Sequence, residues 1–196
     1  MRYKAFLMLV AALLLFLISC DNSSNDEGNR SGEDVTVNFY DGEHLYCLST
    51  AKAGELVSEP TQPQREYYDF VGWYDGTVKW DFSTDRAEKD LTLMAKWCAD
   101  FEAMLQFYSG AGIELDADGA YLKIETRLVE VNENYSEVNL AKIKDVNTRL
   151  GLPDGLYQQM LSTASTDGAQ SVSNEYATVE WESSPQSGLR VIYIRK

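Results

Sequence analysis

The chain has little cysteine, histidine or positive charge. Its 196 residues hold three cysteines, Cys20, Cys47 and Cys98, and a single histidine, His44. That is too few Cys and His ligands for a Cys-based zinc site, so no metal and no cofactor is expected. A Cys47–His44 nucleophilic pair is also disfavoured, because side chains three positions apart on a strand point to opposite faces. His44 reads instead as an exposed residue beside a turn. Seventeen basic residues face 31 acidic ones, a formal net charge of −14. Such a surface repels phosphates and anionic headgroups, which argues against a nucleic-acid partner and against electrostatic docking on a membrane. Long apolar runs are missing as well. The run Ala5–Ile18 spans 14 residues, short of the roughly 20 that a bilayer-crossing helix requires.

That run does have the form of an export signal. Arg2 and Lys4 precede it, and it ends in Leu17-Ile18-Ser19-Cys20. The ending resembles the bacterial lipobox. The resemblance implies cleavage before Cys20, a diacylated Cys20 thiol and a lipid anchor, with each buried acyl methylene worth about 0.8 kcal/mol. The alternative is an ordinary secretory signal with Cys20 near the cut. Residues 1–19 are therefore expected to be a lipoprotein signal peptide. Residues 20–34 would be the lipidated cysteine and a flexible tether, because Asp21–Asp34 carries no apolar side chain to offset the entropy of ordering. The expected location is the cell envelope, on a bacterial membrane.

Two apolar segments organise the next stretch. Phe70-Val71-Gly72-Trp73-Tyr74 interrupts four β-formers with a glycine, the mark of a bulge or a close backbone approach. Leu91-Thr92-Leu93-Met94-Ala95-Lys96-Trp97 alternates, with Leu91, Leu93, Ala95 and Trp97 on one face. Trp73 and Trp97 are expected in the core of a small sheet. Further strands are expected at Val35–Tyr40 and His44–Ser49, a linking segment at Ala53–Pro63 with room for a helical turn, and a loop at Asp75–Lys89. From Val35 to Trp97 the chain resembles a Listeria–Bacteroides repeat, the module found in internalins and many bacterial surface proteins. The resemblance rests on Val35–Phe39, Gly42, Ala53–Val57, Pro60 and the two aromatic motifs. It implies a β-grasp-like fold and exposure at the cell envelope, and no catalytic residues. Two departures stand out: the turn Asp41-Gly42-Glu43-His44 is compact, and the chain holds one copy where members often occur in tandem.

Residues 98–196 match no family by their motifs. Phe101, Met104, Leu105 and Tyr108 have helical spacing, as do Leu140, Ile143, Val146 and Leu150 within a helix expected over Val138–Leu150. Gly151 and Pro153 would stop that helix. A second helix is expected over Asp154–Ala164. Strands are expected at Ile113–Leu115 and Tyr121–Val131, with a bulge near Leu128, and a terminal hairpin at Ala177–Glu182 and Leu189–Ile194. Ser165–Asn174 reads as a loop. The expected fold class is α+β: a small β-grasp-like repeat module, then a second α+β domain with helices packed on an antiparallel sheet.

Few residues invite a functional reading. An exported Cys47 and Cys98 could form a disulfide only if their strand ends lie side by side; separate thiols are the default. Asp116-Ala117-Asp118-Gly119 looks like part of a calcium loop, but Ala120, Tyr121 and Leu122 follow where ligands belong, so a turn is expected. Among 31 acids, no spacing selects a catalytic pair. Trp80 in its polar loop and nearby Tyr74 are the candidates for a ligand face. The expected function is non-enzymatic: a lipid-anchored envelope protein that presents its repeat for adhesion or protein interaction. The alternative is a carbohydrate-binding module at the cell wall or host surface. The expected partners are thus the membrane, through the lipid, and a protein or glycan.

Overall fold

A computed structural model describes residues 32–105, 110–127 and 136–196. Its first sheet follows from alternation. Strand β1 (Asp34–Asp41) buries Val35, Val37 and Phe39 and leaves the residues between them half exposed. Gly42, at φ +58°, reverses the chain into β2 (His44–Lys52). The two pair antiparallel with a register shift at Phe39/Tyr40, where Tyr46 drops out of the ladder. After the short β3 (Glu55–Leu56) the chain runs through Pro60 and Pro63 without regular structure to β4 (Tyr68–Asp75). Next come β5 (Val78–Lys79), β6 (Arg86–Ala87) and β7 (Leu91–Ala99).

The sheet order is β2-β1-β7-β4-β5, and β3 pairs separately with β6. β1 and β7 run parallel, although more than 50 residues separate them in sequence. One face of this sheet is closed by a core of Val35, Val37, Phe39, Cys47, Val57, Trp73, Ala87 and Leu93. Trp73 and Trp97 are both buried, at 1% and 8% exposure, and Phe70 stands between them with its ring centroid 5.4 Å from each. Trp97 donates its indole N–H to Asp41 Oδ1 at 2.9 Å, so the last strand is pinned to the first turn.

The remaining elements are α1 (Phe101–Leu105), β8 (Ile113–Leu115), β9 (Tyr121–Glu125), α2 (Ser136–Arg149), α3 (Leu156–Ser162), β10 (Gln170–Ser173), β11 (Ala177–Ser184) and β12 (Gly188–Arg195). The second sheet is antiparallel throughout, in the order β10-β11-β12-β9-β8. Alternation buries Ala177, Val179 and Trp181 on β11 and Leu189, Val191 and Tyr193 on β12. Ile143 and Val146 of α2 enter the same core. Gly151, at φ +62°, ends α2: its N–H reaches Thr148 O and the Leu152 N–H reaches Asn147 O, which satisfies carbonyls the helix end would leave open.

The α+β expectation is corrected by this architecture. Among the described residues 45% lie in strands against 17% in helices, with three sheets and few helices. Three causes are visible. The linking segment Ala53–Pro63 holds β3 and no helix, so the module lacks the helix a β-grasp-like fold would lay across its sheet. The polar stretch Ser165–Asn174 contains β10, which forms because its backbone pairs with β11 along the sheet edge. Helix α3 is only seven residues long. Residues 1–31, Tyr108, and the expected continuation of the β9 strand through Leu128 to Val131 lie outside the described residues.

The two sheets meet at Arg65–Tyr68. Tyr67 adopts φ +68°, which a side chain tolerates only when its surroundings hold it. Its carbonyl accepts from Asp100 N–H at 2.9 Å, and the Arg149 guanidinium lies 4.0 Å from its ring centre. Arg65 stacks on Tyr68 and Tyr176 at 4.3 and 4.9 Å and donates to the Tyr176 hydroxyl at 2.7 Å. Tyr68 in turn donates its hydroxyl to Arg149 O at 2.8 Å.

Candidate functional site

A groove of 790 Å³ lies beside β4, lined by Phe70, Trp73, Trp80 and Phe82 together with the polar Glu59, Gln62, Lys79 and Asp81. Several local causes build it. The ladder between β4 and β7 shifts register between Phe70 and Gly72, so Val71 is an extra residue and the strand kinks there. β5 pairs only with Tyr74 and Asp75 and Arg65 bridges Tyr68, which leaves residues 69–71 of β4 without a ladder partner on that side among the described residues. Gly72 takes φ +145°, and a Cβ placed on it would stand 2.6 Å from Lys79 Cε. The missing side chain is thus what lets the Lys79 stem lie over the strand.

The aromatic wall is packed from behind. Phe39 meets Trp73 edge-on at 4.9 Å and 74°, and stacks near Phe82 at 6.2 Å. Aromatic pairs of this kind contribute about 0.5–1.5 kcal/mol beyond area burial, which helps hold the wall in place. Trp80 extends the edge of β4 through its N–H, which donates to Trp73 O at 2.8 Å. Its indole is half-buried against the core. The indole N–H groups of Trp73 and Trp80 have no hydrogen-bond partner among the described residues. A buried donor left in that state costs about 1–3 kcal/mol. Beyond Trp80 the loop is ordered by side-chain bonds. Asp81 Oδ1 accepts from the Ser83 hydroxyl and N–H at 2.5 and 2.9 Å, and these bonds hold the Asp81 carboxyl below its ordinary pKa. A second concavity of 450 Å³ continues the groove past Gln62 and Phe70, which line both, toward Arg65, Tyr68 and Trp97.

The other sequence candidates fall elsewhere. Tyr74 does not join Trp80: it alternates with Trp73 along β4, and Lys96 Nζ sits 4.4 Å from its ring centre. Cys47 and Cys98 are not joined by a disulfide. Cys47 lies opposite Phe39, which lies opposite Leu93, while Cys98 is farther along the same strand as Leu93. Two strand spacings and five residues of rise put them about 19 Å apart, against the roughly 7 Å between Cα atoms that a disulfide can bridge. His44 is exposed at the start of β2. Asp116 and Gly119 close a turn, Gly119 N–H donating to Asp116 O at 2.9 Å. Among the described residues no group of His, Cys, Asp and Glu is placed to hold a metal, and no helix is long and apolar enough to cross a membrane. Cys20 lies outside the described residues. Sequence reasoning missed Glu59, Gln62 and Phe82. Their positions depend on an extended segment and a loop that carry no periodic signal.

The profile of the Listeria–Bacteroides repeat domain matches residues 35–96. These residues form a Listeria–Bacteroides repeat module. Internalin H of Listeria monocytogenes serovar 1/2a is 50% identical over 52 residues, which is 24% of this chain and 10% of that protein. Two proteins of Evansella cellulosilytica also match. A Gly-rich membrane protein is 44% identical over 50 residues, 24% of this chain and 6% of its own length. A membrane protein is 40% identical over 69 residues, 33% and 10% of the two chains. The matches thus span a tenth or less of each relative. The repeat contains both the aromatic wall and the polar side of the groove, and the chain shares this kind of module with an internalin and with membrane proteins.

Proposed function

We propose that this protein is a non-enzymatic envelope protein, lipid-anchored through Cys20, that presents its repeat module outward for adhesion or protein interaction. The observation that carries the reading is the repeat itself, with a concave surface walled in part by its motif residues Phe70 and Trp73. Leu17-Ile18-Ser19-Cys20 supports the anchor, and the acidic polar segment Asp21–Asp34 supports a stand-off from the membrane. The absence of a spacing that selects catalytic side chains supports presentation over turnover. Growing cells fed a clickable palmitate analogue test the anchor: the wild type takes up label and Cys20→Ala does not. Protease treatment of intact cells tests exposure, with the repeat expected to be cut. An unlabelled wild type, or a repeat fully shielded on intact cells, overturns the reading.

A further inference from the structure

We infer that the groove beside β4 binds an uncharged, hydroxyl-rich saccharide chain, lying along β4 with Trp80 as its stacking platform. This rests on the reading of the module as an outward-facing surface and names what that surface takes.

Three observations carry it. The first is the pairing of aromatic and polar walls. Sugar rings present C–H faces that pack on indole and phenyl rings and a rim of hydroxyls that both donate and accept. The groove offers Trp80 and Phe82 for the faces and Glu59 and Gln62, both exposed, for the rim. The second is charge. Along the two joined concavities, four carboxylates (Glu59, Glu66, Asp69 and Asp81) stand against two cations (Lys79 and Arg65). The lining is acidic on balance, so an anionic ligand is repelled both by it and by a chain of net charge −14. The third is length: Tyr68 and Trp73, which line the two concavities, are five residues apart on β4, about 16 Å at the rise of a strand. That suits a short oligosaccharide.

The test uses the full chain in detergent micelles on an array of neutral hexose and N-acetylhexosamine oligosaccharides, their sialylated counterparts and extended peptides. Binding to neutral saccharides is expected, at least tenfold weaker for the sialylated forms. Trp80→Ala and Gln62→Ala are each expected to weaken binding at least tenfold, and Trp80→Phe to retain most of it. Gln62 is exposed, so its variant reads binding without disturbing the core. Ligand is expected to change tryptophan fluorescence, less so in Trp80→Phe. Array binding to peptides alone, preference for sialylated glycans, or unchanged affinity in both Gln62→Ala and Trp80→Ala overturns the inference. Palmitate labelling and protease exposure on the same cells separate the outcomes: a labelled, exposed protein that ignores neutral saccharides defeats this inference and leaves the envelope role standing.

Discussion

Gly72→Ala is the substitution that most directly tests why the Phe70–Tyr74 motif carries a glycine. Two costs arise there. At φ +145° a residue with a side chain is strained, by about 1–3 kcal/mol. The new Cβ would also stand 2.6 Å from Lys79 Cε. That atom belongs to a flexible stem, so moving it off its preferred rotamer costs only about 0.5–1.5 kcal/mol. The expected loss is about 2–4 kcal/mol, most of it from the backbone. For a chain of this size that lowers Tm by roughly 4–16 °C. Thermal unfolding of the full chain in detergent, followed by circular dichroism, should be measured for the wild type, Gly72→Ala, Lys79→Ala and the double variant. The cycle should show a coupling of about 1 kcal/mol between the two sites. If Lys79→Ala restored the whole loss, the contact and not the dihedral would be the cause. If Gly72→Ala were within about 0.5 kcal/mol of wild type, both causes would be wrong.

Three further expectations come from other parts of the fold. The Tyr193 hydroxyl is fully buried and donates to Asn147 Oδ1 at 2.8 Å and Ile143 O at 3.2 Å, so Tyr193→Phe should cost about 1–3 kcal/mol in chemical denaturation. Burial also pushes the Tyr193 phenol well above its ordinary pKa. The unfolded chain therefore loses this proton first, near pH 10, and stability should fall as pH rises beyond it by up to about 1.4 kcal/mol per pH unit from this group; Tyr193→Phe should make that alkaline limb shallower, and parallel limbs would refute the assignment. Mass spectrometry after alkylation should find Cys98 modified before the buried Cys47, and a peptide cross-linked between them would contradict the separation of about 19 Å. Arg65→Ala should raise protease cleavage between Ser58 and Tyr67, because it removes the stack on Tyr68 and Tyr176, worth about 1–2 kcal/mol; Arg65→Lys should not rescue it, since an ammonium has no planar face, and unchanged cleavage in Arg65→Ala would refute the clamp.

Local periodicity was readable where one face of an element is buried. The alternation of Leu91, Leu93, Ala95 and Trp97 marks β7, the terminal hairpin shows in Val179, Trp181, Val191 and Tyr193, and the stripe Ile143, Val146 and Leu150 with Gly151 marks α2 and its end. The glycine in Phe70–Tyr74 marks a bulge, as its position among β-formers implies. What stayed hidden has a common cause, since pairing made by distant chain leaves no local pattern. β3, β5 and β6 are two residues each, too short for any period to show. β10 is polar on sequence and exists through its ladder with β11. The parallel pairing of β1 with β7, which closes the first sheet, joins residues more than 50 positions apart. These strands, in stretches expected as loop or linker, overturned the α+β expectation.

The groove was half legible for the same reason. Trp80 stands out because it is a tryptophan between Lys79 and Asp81, and that setting reads as exposed. Its backbone instead extends the edge of β4 from Trp73, which draws the indole half under cover. Tyr74, six residues earlier, belongs to the face opposite Trp73 by the alternation of the strand, so nearness in sequence joined two side chains that the sheet separates. The consequence for function is that the groove's wall and the module's core are the same residues. Trp73 and Phe82 cannot be altered without disturbing Phe39, whose ring touches both. A loss of binding in a wall variant is thus ambiguous between recognition and folding. Only the exposed polar side, Glu59 and Gln62, reports recognition by itself, because neither side chain contributes to the buried cluster.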